Sequence, residues 1–199
     1  MEPAGPPEPR LAATDLACRR GDRLLFKGLT FALGAGEALQ VVGPNGTGKS
    51  SLLRILAGLL RPAAGTVECN RQAALLDERL ALDGDLPLGR AFAFWDRIDG
   101  GGYGSEKLLA LGLDTLTDVP VRFLSTGQRK RAAILQSNGG AAGVWLLDEP
   151  LNGLDVDAAA GFEERIADYL AQGGIAVVAS HQPFHVPGLT RLHLADFAA

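Results

Sequence analysis

Residues 43–50 read Gly43-Pro44-Asn45-Gly46-Thr47-Gly48-Lys49-Ser50, between a short apolar run at 38–42 and a leucine-rich segment at 49–59. No other feature restricts the fold of this chain as much. The spacing G-x-x-x-x-G-K-[ST] works only where a buried strand delivers the chain to a tight turn and a helix carries it away. A strand at 38–42, a glycine loop and a helix at 49–59 are therefore the first expectations.

Such a loop turns its glycine N–H groups and the positive end of its helix toward one place, a geometry suited to phosphate oxygens. Gly43, Pro44, Asn45, Gly46, Thr47 and Gly48 form the cradle in this reading. Lys49 bridges the β- and γ-phosphates of a nucleotide, and the Ser50 hydroxyl ligates Mg²⁺. Thr47 and Ser51 are placed to add phosphate contacts.

Three later stretches offer chemistry to the same site. Val144-Trp145-Leu146-Leu147-Asp148-Glu149 is an apolar strand ending in two acids. Asp148 suits Mg²⁺, and Glu149 suits the polarisation of an attacking water. An acid pair at a strand end is commonplace alone and becomes a site only beside a phosphate loop. Leu124-Ser125-Thr126-Gly127-Gln128 opens a helix with the Ser-x-x-Gln spacing of a capping box. A capped N-terminus in which Gly127 permits close approach is also an anion-binding surface. Ser180-His181-Gln182 follows an apolar strand, where a neutral His181 imidazole can hydrogen-bond a γ-phosphate. Arg129, Lys130 and Arg131 are expected as a solvated helix face.

The remainder of the chain predicts antiparallel strands within 11–33, two short strands around Asn70-Arg71, and strands at 144–147, 175–179 and 189–194. Helices are expected at 88–98, 106–113, 127–136 and 156–170. The fold class is α/β with helices inserted into the core. At 199 residues this is one domain, and the net charge of −4 argues against nucleic acid as a partner. Cys18 and Cys69, the two cysteines, sit in apolar strand-like segments and are expected as buried free thiols. His181, His185 and His193 lack the cysteine spacing of a zinc site. The Pro-rich start has no apolar core to act as a secretory signal, and no stretch reaches the ~20 apolar residues of a membrane span.

In this order the motifs resemble those of ATP-binding-cassette (ABC) ATPases, over residues 11–194. The resemblance implies a P-loop NTPase cassette with an antiparallel β subdomain and an inserted α-helical subdomain. Residues 1–10 would be a flexible tail, 11–77 and 140–199 the core, and 78–139 the insertion. It implies ATP and Mg²⁺ as ligands, with Glu149 and His181 catalytic and Ser50 and Asp148 at the metal. Asn152-Gly153-Leu154-Asp155 corresponds to the loop that crosses a dimer interface in the family. Two cassettes would form a homodimer around two ATP molecules, each held between one phosphate loop and the other subunit's Ser125, Gly127 and Gln128. Closure and reopening would move attached integral membrane subunits at the cytoplasmic face of a bacterial inner membrane.

Within the family, several details resemble the ATP-binding subunits of haem exporters in cytochrome c maturation. They are Leu16-Ala17-Cys18-Arg19 followed by Arg23-Leu24-Leu25-Phe26, the signature Ser125-Thr126-Gly127 without a second glycine, and Ala171-Gln172-Gly173-Gly174 ahead of Ser180-His181-Gln182. ATP hydrolysis would then serve haem delivery, by export of haem or release of a haem-loaded chaperone. An ATPase subunit for another substrate, a drug or a lipid, stays open, because a cassette carries no substrate pocket. A repair or translation cassette, or a regulatory module without turnover, are the more distant alternatives. Three departures stand out. Arg19-Arg20 occupies the place of the adenine-stacking aromatic, where the Arg20 guanidinium is the available stacking plane. Asp77-Glu78-Arg79 replaces the usual coupling glutamine. Thr126 stiffens the signature.

Overall fold

The computed structural model describes residues 10–77, 80–137 and 143–199. It contains two sheets. The antiparallel one comprises β1 (Arg10–Arg20), β2 (Arg23–Gly34) and β4 (Ala64–Cys69), in the order β2-β1-β4. The parallel one comprises β3 (Ala38–Val42), β5 (Ala73–Leu76), β6 (Val144–Asp148), β7 (Ile175–Ala179) and β8 (Leu189–His193), in the order β5-β6-β7-β3-β8. The helices are α1 (Lys49–Leu56), α2 (Leu88–Asp99), α3 (Ser105–Ala110), α4 (Thr126–Ser137) and α5 (Val156–Ala171).

Strand periodicity divides the parallel sheet between two cores. Successive side chains point to opposite faces, so Val144 and Leu146 of β6 and Ile175, Val177 and Ala179 of β7 face α1 and the antiparallel sheet. Trp145 and Leu147 with Ala176 and Val178 face α5, against Phe162, Ile166 and Leu170. Both faces are covered, and β6 and β7 accordingly read as continuous apolar runs, each residue buried. The indole N–H of Trp145 donates to Ser137 Oγ at 3.1 Å, which satisfies the one polar atom it brings inside. A third core, with Leu88, Phe92, Leu113 and Leu124 at its centre, lies among the helices between β5 and β6. Helix α4 belongs to both: Ala133 and Ile134 pack toward the sheet, Ala132 and Leu135 toward the helices.

Several expectations shift at their ends. Helix α1 stops at Leu56, because Ala57 caps it and the Gly58 N–H turns back to the Ile55 carbonyl. Arg10 is not tail but the first residue of β1, paired with Gly34 and donating its N–H to Asn70 Oδ1 at 2.8 Å. The rest of the expected tail, and both expected junctions of the helical insertion around 78 and 140, fall outside the described residues. The two strands around Asn70-Arg71 exist but join different sheets. Of the two cysteines, both free, Cys18 is buried as expected and Cys69 is exposed, a correction with a simple cause. β4 is an edge strand pressed on one side only by β1, and five of its six residues lie open to solvent.

Parallel strands carry their connecting loops at one edge. The turns after β3 (Gly43), β5 (Asp77), β6 (Glu149) and β7 (Ser180) therefore collect at the carboxyl ends of the sheet, the usual place for a ligand crevice in open α/β sheets.

Candidate active site

The loop from Gly43 is wound by glycines at positive φ: 156° at Gly43, 81° at Gly46 and 110° at Gly48. Gly48 caps α1, and a Cβ there would stand 3.2 Å from Leu25 Cδ1 and from the Phe26 ring. Only glycine fits both the backbone and the space. The Thr47 hydroxyl donates to the Pro44 carbonyl at 2.9 Å and so braces the loop. Lys49 is buried, and its ammonium donates to the carbonyls of Gly43 at 2.8 Å and Pro44 at 3.4 Å. The Ser51 hydroxyl meets Cys18. Burial pushes that thiol above its ordinary range, against the opposing hydrogen bond from Ser51 and the charge of Arg20.

A cleft of about 350 Å³ joins this loop to the acids of β6. Asn45, Gly46, Gly48, Lys49, Ser50, Ser51, Asp148 and Glu149 line it, with Leu25 at its rim. Asp148 closes β6 and is buried; Glu149 follows with φ of 45°, one of two positive-φ non-glycine residues in the described chain. Strained backbone of this kind persists only where its surroundings impose it. Here the Glu149 N–H donates to the Ala179 carbonyl at 2.8 Å, extending the β6–β7 ladder by one bond. Its own carbonyl accepts from Lys130 Nζ at 2.8 Å and from the Asn152 N–H at 3.3 Å. The carboxylate reaches the third element: His181 Nδ1 lies 2.9 Å from Glu149 Oε2. A carboxylate only accepts, so Nδ1 is the donor. In the neutral ring Nε2 is then an acceptor, and a hydrogen bond from it to a phosphate oxygen needs the doubly protonated imidazole. Behind it the turn is fixed by the buried Ser180, whose Oγ accepts from Gln182 N, and by Gln182 Nε2 donating to Asn152 Oδ1 at 3.0 Å.

The structure separates Ser125, Gly127 and Gln128 from this cleft; none of the three lines it. They form the expected capping box. Ser125 N–H donates to Gln128 Oε1 at 2.8 Å and Gln128 N–H to Ser125 Oγ at 3.2 Å. The close approach that Gly127 permits is to its own chain: a Cβ there would meet the Gly153 carbonyl oxygen at 3.2 Å. Ser125 and Thr126 are exposed. Arg129 is exposed too, but Lys130 and Arg131 correct the expectation of a solvated face. Lys130 holds Glu149, and Arg131 Nη1 donates to the Leu111 carbonyl at 3.1 Å. Helical spacing cannot reveal such partners, since each lies about 20 residues away on another element.

At the coupling position Asp77 Oδ2 is engaged by Arg54 Nη2 of α1 at 3.2 Å, which ties the phosphate-loop helix to the end of β5. Glu78 and Arg79 lie outside the described residues. Arg20 ends β1 as an exposed side chain beside the Gly21 turn. The cradle, the buried acid and the hydroxyl of Ser50 suit a nucleotide with a divalent cation: backbone N–H groups for anionic oxygens, hard oxygen donors for the metal.

A profile of the ABC transporter family matches residues 26–86. The fold is that of an ABC transporter ATP-binding protein from Pyrococcus furiosus, with a TM-score of 0.81 over 96% of this chain and 100% of that one at 19% identity. The RNase-L inhibitor is similar over 89% of this chain and 35% of its own, with a TM-score of 0.74 and 26% identity. In sequence the chain is 56% identical over 187 residues to a protein of Novosphingobium aromaticivorans named cytochrome c biogenesis ATP-binding export protein CcmA, covering 94% of this chain and 96% of that one. A protein of the same name from Sphingopyxis alaskensis is 50% identical, covering 94% and 98%. With the phosphate loop, the paired acids, the capped signature turn and the histidine in the family's order, this chain belongs to the cytochrome c biogenesis ATP-binding export proteins of the ABC transporter family.

Proposed function

We propose that the chain is the ATP-hydrolysing subunit of a membrane ABC complex that serves haem export or haem-chaperone release in c-type cytochrome biogenesis. The observation that carries the chemical part is the meeting of Lys49, Asp148 and Glu149 in one cleft, with His181 on the Glu149 carboxylate. The relatives' shared name carries the biological part.

Phosphoryl transfer to water asks the protein mainly for position and charge. The Lys49 ammonium, now on two loop carbonyls, would shift to the β- and γ-phosphate oxygens, the stronger acceptors. Mg²⁺, held by Ser50 and through Asp148, would supply further positive charge at those oxygens. With Oε2 accepting from His181, Glu149 would present Oε1 to a water in line with the γ-phosphate and take its proton. His181 orients that carboxylate and stabilises its charge. Ser125, Gly127 and Gln128 do not line this cleft, and Ser125 is exposed, so we assign them to the nucleotide of a twin subunit in a homodimer. Among the described residues no helix is long and apolar enough to cross a membrane. Attachment to the cytoplasmic face of the inner membrane would therefore run through integral partner subunits, and nucleic acid has no part in the reading.

Glu149→Gln keeps the shape of the side chain and removes the base. We expect hydrolysis of MgATP to fall by about 10²–10⁴-fold, the usual worth of a general base, while MgATP binding persists and a dimer accumulates. Unchanged turnover would overturn the assignment of Glu149. Co-purification of the parent chain with membrane subunits unrelated to haem handling would overturn the biological half.

A further inference from the structure

Glu149 is held in its unfavourable backbone conformation from the side of helix α4. The Lys130 ammonium donates to the Glu149 carbonyl at 2.8 Å, the short charged contact in a set whose other donor to that oxygen, Asn152 N–H, is at 3.3 Å. A second contact joins the same two pieces one turn nearer the helix start. A Cβ on Gly127 would meet the Gly153 carbonyl oxygen at 3.2 Å, and a Cβ on Gly153 would meet Thr126 Cγ2 at 3.3 Å, so the two segments pack closely there. The turn from Glu149 to Gly153 is thus docked on α4 at both its ends. Lys130, Thr126, Asn152 and Glu149 line one cavity of about 440 Å³ that also reaches Asp77, so the contact has room beside it in which to shift.

We infer that Lys130 is a positioning residue for hydrolysis: through the Glu149 carbonyl it sets the direction of the Glu149 carboxylate, and it joins that carboxylate rigidly to the helix whose capped start carries Ser125. The inference rests on the proposed roles of Glu149 and of the Ser125 turn. Its consequence is mechanical. A ligand engaged at the start of α4, the nucleotide of a second copy, moves or steadies Glu149 in the cleft of this copy. The two sites of a dimer are thereby coupled within each chain as well as across the interface. In this role the side chain acts on hydrolysis through the peptide it holds.

The test uses the full chain with Lys130→Met, which keeps length and apolar stem but cannot donate, and Lys130→Arg, which restores a charged donor. Steady-state MgATP hydrolysis and calorimetric MgATP binding are measured for both, beside Glu149→Gln. Lys130→Met is expected to lower kcat by about 10- to 100-fold, the scale of an ångström-sized misplacement of a reacting group, with KM and nucleotide affinity within about twofold. Lys130→Arg should recover most of the loss. Turnover of Lys130→Met equal to the parent, while Glu149→Gln abolishes it, overturns the inference and leaves the proposed function standing. Parallel loss of kcat and binding in both Lys130 variants overturns it as well, by showing a general structural role. Should Lys130→Met not fold, Lys130→Arg, a charged donor of full reach, must retain most of kcat and the shorter Lys130→Gln must lose part of it; equal turnover in the two, high or low, counts against it. Full activity of Glu149→Gln defeats the reading of Glu149 itself, a result distinct from the others.

Discussion

Replacing Gly48 by alanine sets two separable forces against the phosphate loop. The first is conformational: φ of 110° with ψ of 12° lies beyond the left-handed well that an L-residue tolerates. Placing a Cβ there costs about 1–2 kcal/mol. The second is spatial: the new methyl stands 3.2 Å from Leu25 Cδ1 and from Phe26 Cδ1 and Cε1. Leu25 is half-buried and can yield, but Phe26 is fully buried in the core beneath the loop. Overpacking of this kind adds about 1–3 kcal/mol. Gly46 separates the two, because its φ is 81° and nothing stands within 4 Å of an added Cβ. Gly46→Ala carries the conformational part alone. In thermal unfolding followed by circular dichroism, each kcal/mol is worth about 2–4 °C for a chain of this size. Gly48→Ala should therefore melt about 4–20 °C below the parent, and Gly46→Ala about 2–8 °C below it. Titration with MgATP should show the weaker binding in Gly48→Ala, whose methyl displaces the N–H groups at the start of α1. Equal melting points for the two variants would refute the claim that Leu25 and Phe26 constrain the loop from below.

Ser125→Ala removes one half of the capping box and should cost about 1 kcal/mol of stability. MgATP affinity of the monomer should be unmoved, since Ser125 does not line its cleft; a loss as large as that of Lys49→Ala would contradict the geometry. Ser137→Ala strands the indole N–H of the buried Trp145 and should destabilise by about 1–3 kcal/mol in urea unfolding, an effect that Trp145→Phe in the same background should reduce. Burial pushes the Tyr169 hydroxyl up to about 12 from 10.0. The folded chain thus keeps a proton there that the unfolded chain releases, so this contribution is full below pH 10 and is lost as pH rises to about 12. Tyr169→Phe should flatten the alkaline fall in stability across that window; a curve identical to the parent's would reject the assignment.

Much of the site was legible in the chain because its parts are local. The phosphate loop is one strand, one turn and one helix within about 20 residues, and the backbone geometry that it needs is written in its glycines. The Ser125–Gln128 capping box is likewise a matter of four consecutive residues. Strands β6 and β7 announced their burial on both faces through unbroken apolar runs. The helical capacity of α4 was legible also, but not its partners. Lys130 and Arg131 carry the same pattern as any solvated basic turn, and their acceptors are backbone carbonyls, which have no signature in sequence.

Residue order alone therefore determined the local pieces: a glycine turn between a strand and a helix, two acids at the end of a buried strand, a helix start closed by its own capping box. Those properties follow from dihedral preferences and periodicity, which act over a few residues. Tertiary packing decided what no short-range force can. It sent β4 and β5 into different sheets, left Cys69 on an open edge and Cys18 inside, and bound Asp77 to Arg54. It also put the His181 ring on Glu149 and the Lys130 ammonium on the Glu149 peptide. Each outcome depends on which surfaces meet once the parallel sheet is stacked between its neighbours, and a hydrogen bond or ion pair forms only after that burial has brought its partners within reach.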